Sequence, residues 1–329
     1  MHNQNHWHGG VLVVDTNNLV MRNFHALPWM TADDGTPTNA VFGTIRAIRQ
    51  AIITFRPSRV FICWDDPTRN YWRRDVFPDY KAKRRVPTAH REIGAHINGR
   101  SVFEVQTDLL QGIFYLVLKL PQLRVPRLEA DDLLAIVAGW CRPYPTVLLS
   151  ADHDFNQLVC DDVSIFDPMK EEWRKPENFE QCTGVPTPSL YLDRMIINGD
   201  SGDGVPMVKG LSGEKRWESY VSLLRQTSLR SCLAGRDFAK SLEKAKWPED
   251  LAAKFAPRFE ELERNLRLVD LRYAAERVKG SVETDLLLSR LDGFDPQAVW
   301  DMAVKLSMRS ITSNFEEWVR PFVLYHQEV

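Results

Sequence analysis

No Cys-x-x-Cys pair occurs in the 329 residues, and the five cysteines (Cys63, Cys141, Cys160, Cys182, Cys232) are scattered and odd in number. That excludes a zinc-ribbon site and a disulfide framework, and it reads as thiols in a reducing cytoplasm. No apolar run is long enough to cross a bilayer and no signal-peptide pattern opens the chain, so a cytoplasmic protein without a membrane partner is expected. An excess of charge is also missing. With 42 Lys and Arg against 44 Asp and Glu, the net charge is −2. This argues against a uniformly basic nucleic-acid binder but leaves room for a segregated basic patch. There is no repeat and no low-complexity linker. The polar stretch from His2 to His8 reads as part of a disordered tail over residues 1–10, not as a metal site.

What is present is ordinary globular material, 44% apolar and 26% charged, long enough for one large or two modest domains. Val11 to Val14 is a continuous apolar run ending in Asp15, as a strand buried on both faces should be. Val60 to Trp64 runs into Asp65 and Asp66, and Val147 to Leu149 is followed by Asp152 and Asp154. Helical stretches over Ala40–Phe55, Ser101–Leu120 and Ala130–Cys141 alternate with these strands, which predicts an α/β fold on a parallel sheet. Ligands of such sheets sit outside the carboxyl ends of the strands, where these aspartates fall.

Leu128-Glu129-Ala130-Asp131-Asp132 puts three carboxylates within four residues, ahead of an apolar helix. Glu129 and Asp132 share a helix face, and such crowding calls for a compensating cation. A plain acidic first turn is the alternative. Residues 69–100 carry nine Lys or Arg side chains interleaved with Tyr71, Trp72, Phe77 and Tyr80. Bases alternating with rings suit a nucleic-acid surface, a solvated basic loop being the other reading. Further on, an apolar helix over Leu190–Ile197 enters a glycine-rich stretch through Gly213, and a helix comes next, from Arg216 to about Leu224. Helix, glycine hairpin, helix is a pattern for gripping backbone phosphates.

In order along residues 11 to 290, these motifs resemble the structure-specific 5′-nucleases: the 5′-nuclease domain of family-A DNA polymerases, the phage 5′–3′ exonucleases and the flap endonucleases. The motifs are Val13-Val-Asp15-Thr-Asn-Asn18-Leu with Arg22 and His25-Ala26, Gly35-Thr-Pro37-Thr38, Asp66 ahead of Trp72-Arg73 and Phe77-Pro-Asp-Tyr80-Lys81-Ala-Lys-Arg84, Leu128-Glu129-Ala-Asp131-Asp132, Ser150-Ala-Asp152-His-Asp154, and Gly199-Asp200-Ser-Gly-Asp203 with its hairpin. No polymerase domain comes after them, which fits a stand-alone, phage-type protein. The resemblance implies an α/β nuclease core over 11–185 with a helical arch at about 69–100. It also implies a helix–hairpin–helix region over 186–293; the C-terminal tail, 294–329, carries no assignment and is expected to pack on the core.

The chemistry that the family implies is phosphodiester hydrolysis by two divalent cations, Mg2+ or Mn2+, roughly 4 Å apart. Such hard ions take oxygen ligands, which an all-carboxylate pool supplies. By similarity Asp15, Asp66, Glu129, Asp131 and Asp132 surround one metal, and Asp152, Asp154, Asp200 and Asp203 serve the second. Spacing to Tyr80 favours Asp66 over Asp65, and His153 reads as non-catalytic. Lys81 and Arg84 match the family's basic pair and join Asp66, Asp131 and Asp152 as the catalytic set. DNA contacts fall to Arg22, Arg73, Lys83, Lys209, Gly210, Gly213 and Lys215, with Tyr80 stacking on a base; a surface ion pair is the alternative for Arg22. Gly210-Leu-Ser-Gly213 has one residue more than the family's usual Gly-x-Gly, and a potassium ion there depends on the turn keeping its shape. Thr16 replaces the usual Gly or Ser.

The expected protein is a monomeric 5′–3′ exonuclease and flap endonuclease acting on DNA flaps, junctions and free 5′ ends, and on RNA–DNA hybrids, in replication or repair. The rival readings are a PIN-type ribonuclease, which lacks the hairpin and long basic arch, and a DNA-junction binder that has lost its metals.

Overall fold

The computed structural model describes residues 8–82, 96–97, 99–235, 237–273 and 291–327. Strand β1 (Val11–Asp15) leads into α1 (Thr16–Ala26), α2 (Asn39–Phe55) and β2 (Arg59–Cys63). A short α3 (Arg73–Val76) precedes a small hairpin, β3 (His96–Ile97) and β4 (Arg100–Ser101). The chain continues through α4 (Val102–Gly112), β5 (Gln122–Leu123), α5 (Ala130–Trp140), β6 (Thr146–Leu149), β7 (Val163–Asp167) and β8 (Glu172–Arg174). The six-stranded sheet runs β5-β2-β1-β6-β7-β8, parallel except for the antiparallel edge strand β8.

Both faces of this sheet are covered, which is why its central strands are apolar without alternation. Leu12, Val14, Val60, Ile62, Val147 and Leu149 point into one core with α2. Val11, Val13, Phe61, Cys63 and Leu148 point into the other, beneath α5. Apart from the arch, where the described residues form only α3 and the β3–β4 hairpin, the strand and helix expectations hold to within a residue or two, with one exception. The predicted helix to Leu120 ends as an α-helix at Gly112 and continues as a wider turn over Ile113–Val117. β5, β7 and β8 carry no clear sequence signal; each is short, or has polar residues such as Ser164 within its run.

A helical region completes the middle of the chain: α6 (Phe179–Thr183), α7 (Pro188–Asn198), α8 (Glu214–Gln226), α9 (Leu229–Leu233), α10 (Phe238–Lys244), α11 (Glu249–Phe255) and α12 (Phe259–Val269). It encloses its own apolar cluster, built on residues such as Leu192, Ile196, Trp217, Phe255 and Leu262. The C-terminal helices α13 (Pro296–Lys305), α14 (Arg309–Thr312) and α15 (Phe315–Gln327) return to the sheet. Val299, Ile311 and Phe322 are buried in the α2-side core, and the Tyr325 hydroxyl accepts the Val60 amide at 3.1 Å. Of the expected tail and arch, residues 1–7, 83–95 and 98 lie outside the described residues, Lys83 and Arg84 among them.

Candidate active site

Three parallel strands, β1, β2 and β6, end side by side, and acid stands at or just past the end of each. Asp15 closes β1 and caps α1, its Oδ1 accepting the Asn18 amide at 3.2 Å. Its Oδ2 accepts the Ser150 hydroxyl at 2.7 Å, and the same hydroxyl oxygen accepts the Asp152 amide at 3.0 Å. Ser150 thus ties the β1 acid to the loop after β6. Asp154 closes that loop, its amide donating to Asp152 Oδ1 at 2.9 Å. Glu129 caps α5, its carboxylate and that of Asp132 each accepting from the other's end of the first turn.

Asp200 and Asp203 arrive from the helical region, on a tight turn after α7. Gly199 makes the turn possible: its φ is +66°, and a Cβ there would lie 2.4 Å from the Val205 carbonyl. Asp200 Oδ1 accepts the Gly202 amide at 2.8 Å. The carboxylates of Asp154, Asp200 and Asp203 lie within 4.8 Å of one another, in a cleft also lined by Arg73, Tyr80 and Asp131.

The electrostatics are those of crowded acid. Burial raises Asp15 to about 7, with Asp152 and Asp65 adding repulsion against the opposing hydrogen bonds from Ser150 and Asn18. Asp131 is raised well above the ordinary carboxylate range by burial, then by Asp152 and Asp15. Asp154 is raised likewise by burial and by Asp152, Asp200 and Asp203. For Glu129 burial acts upward, but Lys81 and Arg73 outweigh it and hold the group below its ordinary value. Lys81 pairs with Glu129 and lies 3.3 Å from Asp203. Two acid clusters contributed by different parts of the chain therefore converge, with oxygen as their only ligand atom. Such a set suits hard divalent cations, which would offset the repulsion.

The structure departs from several sequence expectations. Asp132 does not face the cleft: it is fully buried, with Arg73 Nη2 at 2.7 Å on Oδ1 and Arg73 Nη1 and Trp72 Nε1 on Oδ2 at 3.0 and 3.2 Å. Arg73 is accordingly no phosphate contact. Its side chain is 2% exposed, and the guanidinium also holds Glu129 at 2.7 Å and the Leu268 carbonyl at 2.8 Å. Asp66 is engaged elsewhere, accepting the Thr68 amide and hydroxyl from its own loop and the Arg127 amide from the segment before α5. Asp65 is the carboxylate beside Asp15, and it accepts the Ala130 amide at 2.8 Å. Strand alternation carried the signal: Cys63 pairs with Asp15, and Asp65 lies two residues beyond it.

Tyr80 cannot stack on a base, because its ring is buried and its hydroxyl donates toward Glu129 at 3.0 Å and Asp203 at 2.9 Å. Arg22 pairs with Asp167 at 2.9 Å. Lys209, Gly210 and Gly213, in the turn leading to α8, and Lys215, in its first turn, are all exposed. Sequence reasoning gave Ser150 no role within its motif and passed over Gln157 and Arg174; the last donates to the Ser150 and Asp152 carbonyls from β8.

Comparison with known proteins agrees with this architecture. Residues 10–184 match the family model for the 5′-3′ exonuclease N-terminal, resolvase-like domain. A thermostable DNA polymerase I of Thermus caldophilus is 32% identical over 267 residues, 80% of this chain but 29% of the polymerase. The chain thus aligns to under a third of that relative's length. A flap endonuclease Xni of Shewanella baltica is 27% identical over 282 residues, 83% of this chain and 98% of that protein. Among solved structures, the flap endonuclease of bacteriophage T5, in a product-like complex with DNA and metal ions, superposes with a TM-score of 0.60. It is 18% identical, covering 90% of this chain and 99% of the phage chain. The chain belongs to the 5′-3′ exonuclease family, on a mostly parallel α/β fold shared with the phage enzyme.

Proposed function

We propose that the protein is a metal-dependent, structure-specific 5′-nuclease, acting on DNA as both 5′–3′ exonuclease and flap endonuclease. The observation that carries this is the convergence of Asp154 with Asp200 and Asp203, facing a second acid group of Asp15, Asp65, Glu129 and Asp131. The relatives' names and the phage complex with DNA and metal ions support the substrate class.

Asp15, Asp65, Glu129 and Asp131 would hold one Mg2+ or Mn2+, and Asp152, Asp154, Asp200 and Asp203 the second. When bound, such a pair activates water and offsets the charge of the phosphorane-like transition state. The chain's own residues do the rest. Lys81 carries its charge beside Glu129 and Asp203 at the cleft, within the basic segment, where it can meet the scissile phosphate with Arg84 assisting. Tyr80 holds Glu129 and Asp203 in register. Lys209, Gly210, Gly213 and Lys215 grip the duplex backbone, and a potassium ion at that turn would add to the grip. Flaps, junctions, free 5′ ends and RNA–DNA hybrids are the substrates, cut by a monomer during replication or repair.

The test is cleavage of a 5′-labelled flap with Mg2+, with chelator, and with Asp152→Ala. Short labelled products that need the metal and vanish in the variant are expected. Tight junction binding without any cut, under Mg2+ or Mn2+, would replace this reading with a non-catalytic binder.

A further inference from the structure

Asp154 belongs to a loop of the sheet domain, while Asp200 and Asp203 belong to a turn of the helical region, so something must set the distance between them. Helix α12 touches both. On its inner face Asn265, fully buried, donates through Nδ2 to the Ile196 carbonyl at 2.9 Å and the Pro206 carbonyl at 2.8 Å. Those carbonyls lie on the two limbs of the turn that carries Asp200 and Asp203. At the other end of α12, Gln157, also fully buried, donates through Nε2 to the Asp154 and Val269 carbonyls, each at 2.9 Å. Its Oε1 accepts the Leu271 amide at 2.9 Å.

We infer that α12 is a strut that registers Asp154 against Asp200 and Asp203, and that Gln157 and Asn265 are positioning residues acting through it. The inference deepens the proposed function, since it rests on these acids holding a divalent metal. Buried amides left unmatched are costly, so each keeps its partners and transmits their position. Neither carries charge. Replacing one changes the geometry of the cluster without changing its electrostatic attraction for a cation, so the effect on metal binding reads position alone. Groups that orient metal ligands typically alter metal affinity by about 10- to 100-fold when removed.

The experiment is calorimetric titration of the full chain with Mn2+ alone, without DNA, for wild type, Gln157→Met, Asn265→Ala and the double variant. Each single variant is expected to bind the more weakly held metal about 10-fold less tightly, and the double variant little worse than either. In flap cleavage KM should hold, while kcat falls and recovers as the metal concentration rises. Ile311→Ala, in the core on the opposite face of the sheet, should lower the melting temperature and leave the metal constant alone. Unchanged metal binding in both variants, or an equal loss in Ile311→Ala, overturns the strut.

Hydrogen exchange on the wild type gives a second reading that needs no variant to fold. Mn2+ should slow exchange of the Leu271 amide and of the last turn of α12, and no change there overturns the inference. A wild type that binds Mn2+ but leaves flaps uncut refutes the nuclease reading and still tests the strut. A wild type that cuts flaps, with variants that bind metal normally, refutes the strut alone.

Discussion

Arg73 and Asp132 hold each other beneath the acid cleft, Nη2 to Oδ1 at 2.7 Å and Nη1 to Oδ2 at 3.0 Å. Both side chains are shut off from solvent, and the same guanidinium reaches Glu129. The pair therefore fixes the first turn of α5 from below. Removing one partner of a buried ion pair leaves an uncompensated charge, which typically costs about 3–5 kcal/mol. Asp132→Ala is expected to lose stability on that scale in urea unfolding, with or without metal. Normal stability combined with lost metal binding would return Asp132 to the metal site.

Asp65 and Asp66 are neighbours with different tasks. Asp65→Asn should weaken divalent-metal binding and cleavage while leaving the melting temperature nearly unchanged. Asp66→Asn should do the reverse, because its oxygens serve the Thr68 and Arg127 loop contacts. Metal titration and thermal melts of the two variants, side by side, decide the assignment.

The raised acids give a signed pH dependence. Asp15 moves from 3.8 to about 7 on folding, and Asp131 and Asp154 are raised too. Between those pH values the native state holds protons that the unfolded chain has released, so metal-free stability should fall as pH rises through the window. Metal binding needs the deprotonated groups and offsets their repulsion. The gain in melting temperature on adding Mg2+ should therefore grow from about pH 5 to about pH 8. A gain independent of pH would contradict this.

Asp193, on α7, is a second buried acid, raised to about 7 mainly by burial despite hydrogen bonds from the Leu229 and Arg230 amides. Its Oδ2 is buried without a hydrogen-bond partner. It too should cost stability as pH rises from 3.8 toward 7. Asp193→Asn is expected to flatten the dependence of melting temperature on pH across that range. An unchanged slope in the variant would mean that Asp193 titrates normally.

Local pattern makes the parallel strands, the helix after Glu129, the Asp152 and Asp154 loop and the Asp200 turn readable. An apolar run buried on both faces can end only where solvent begins, so Asp15, Asp65 and Asp154 lie past their strands at one edge. The acid cluster is thus legible as a set. Errors arise where a side chain's partner lies far along the chain. Arg73 and Tyr80 look like nucleic-acid contacts because bases and rings alternate around them, and nothing local says that α3 packs against α5 and α12. Linear spacing favours Asp66 over Asp65 because it ignores the phase of the strand.

The C-terminal helices show the same limit. Ile311 and Phe322, on separate helices, carry no sign in the sequence of which face of the sheet they cover. Asn265 is a single amide in an amphipathic helix and belongs to no motif. Fold class, family and the pool of carboxylates are all written in the linear chain, because they depend on hydrophobic period and on residues a few positions apart. Tertiary packing alone settles which carboxylates face the cleft, which cations pair with them, and how α12 spans the two halves. Those depend on contacts between segments more than forty residues apart, where burial leaves each charged or amide group only the partners that the fold brings to it.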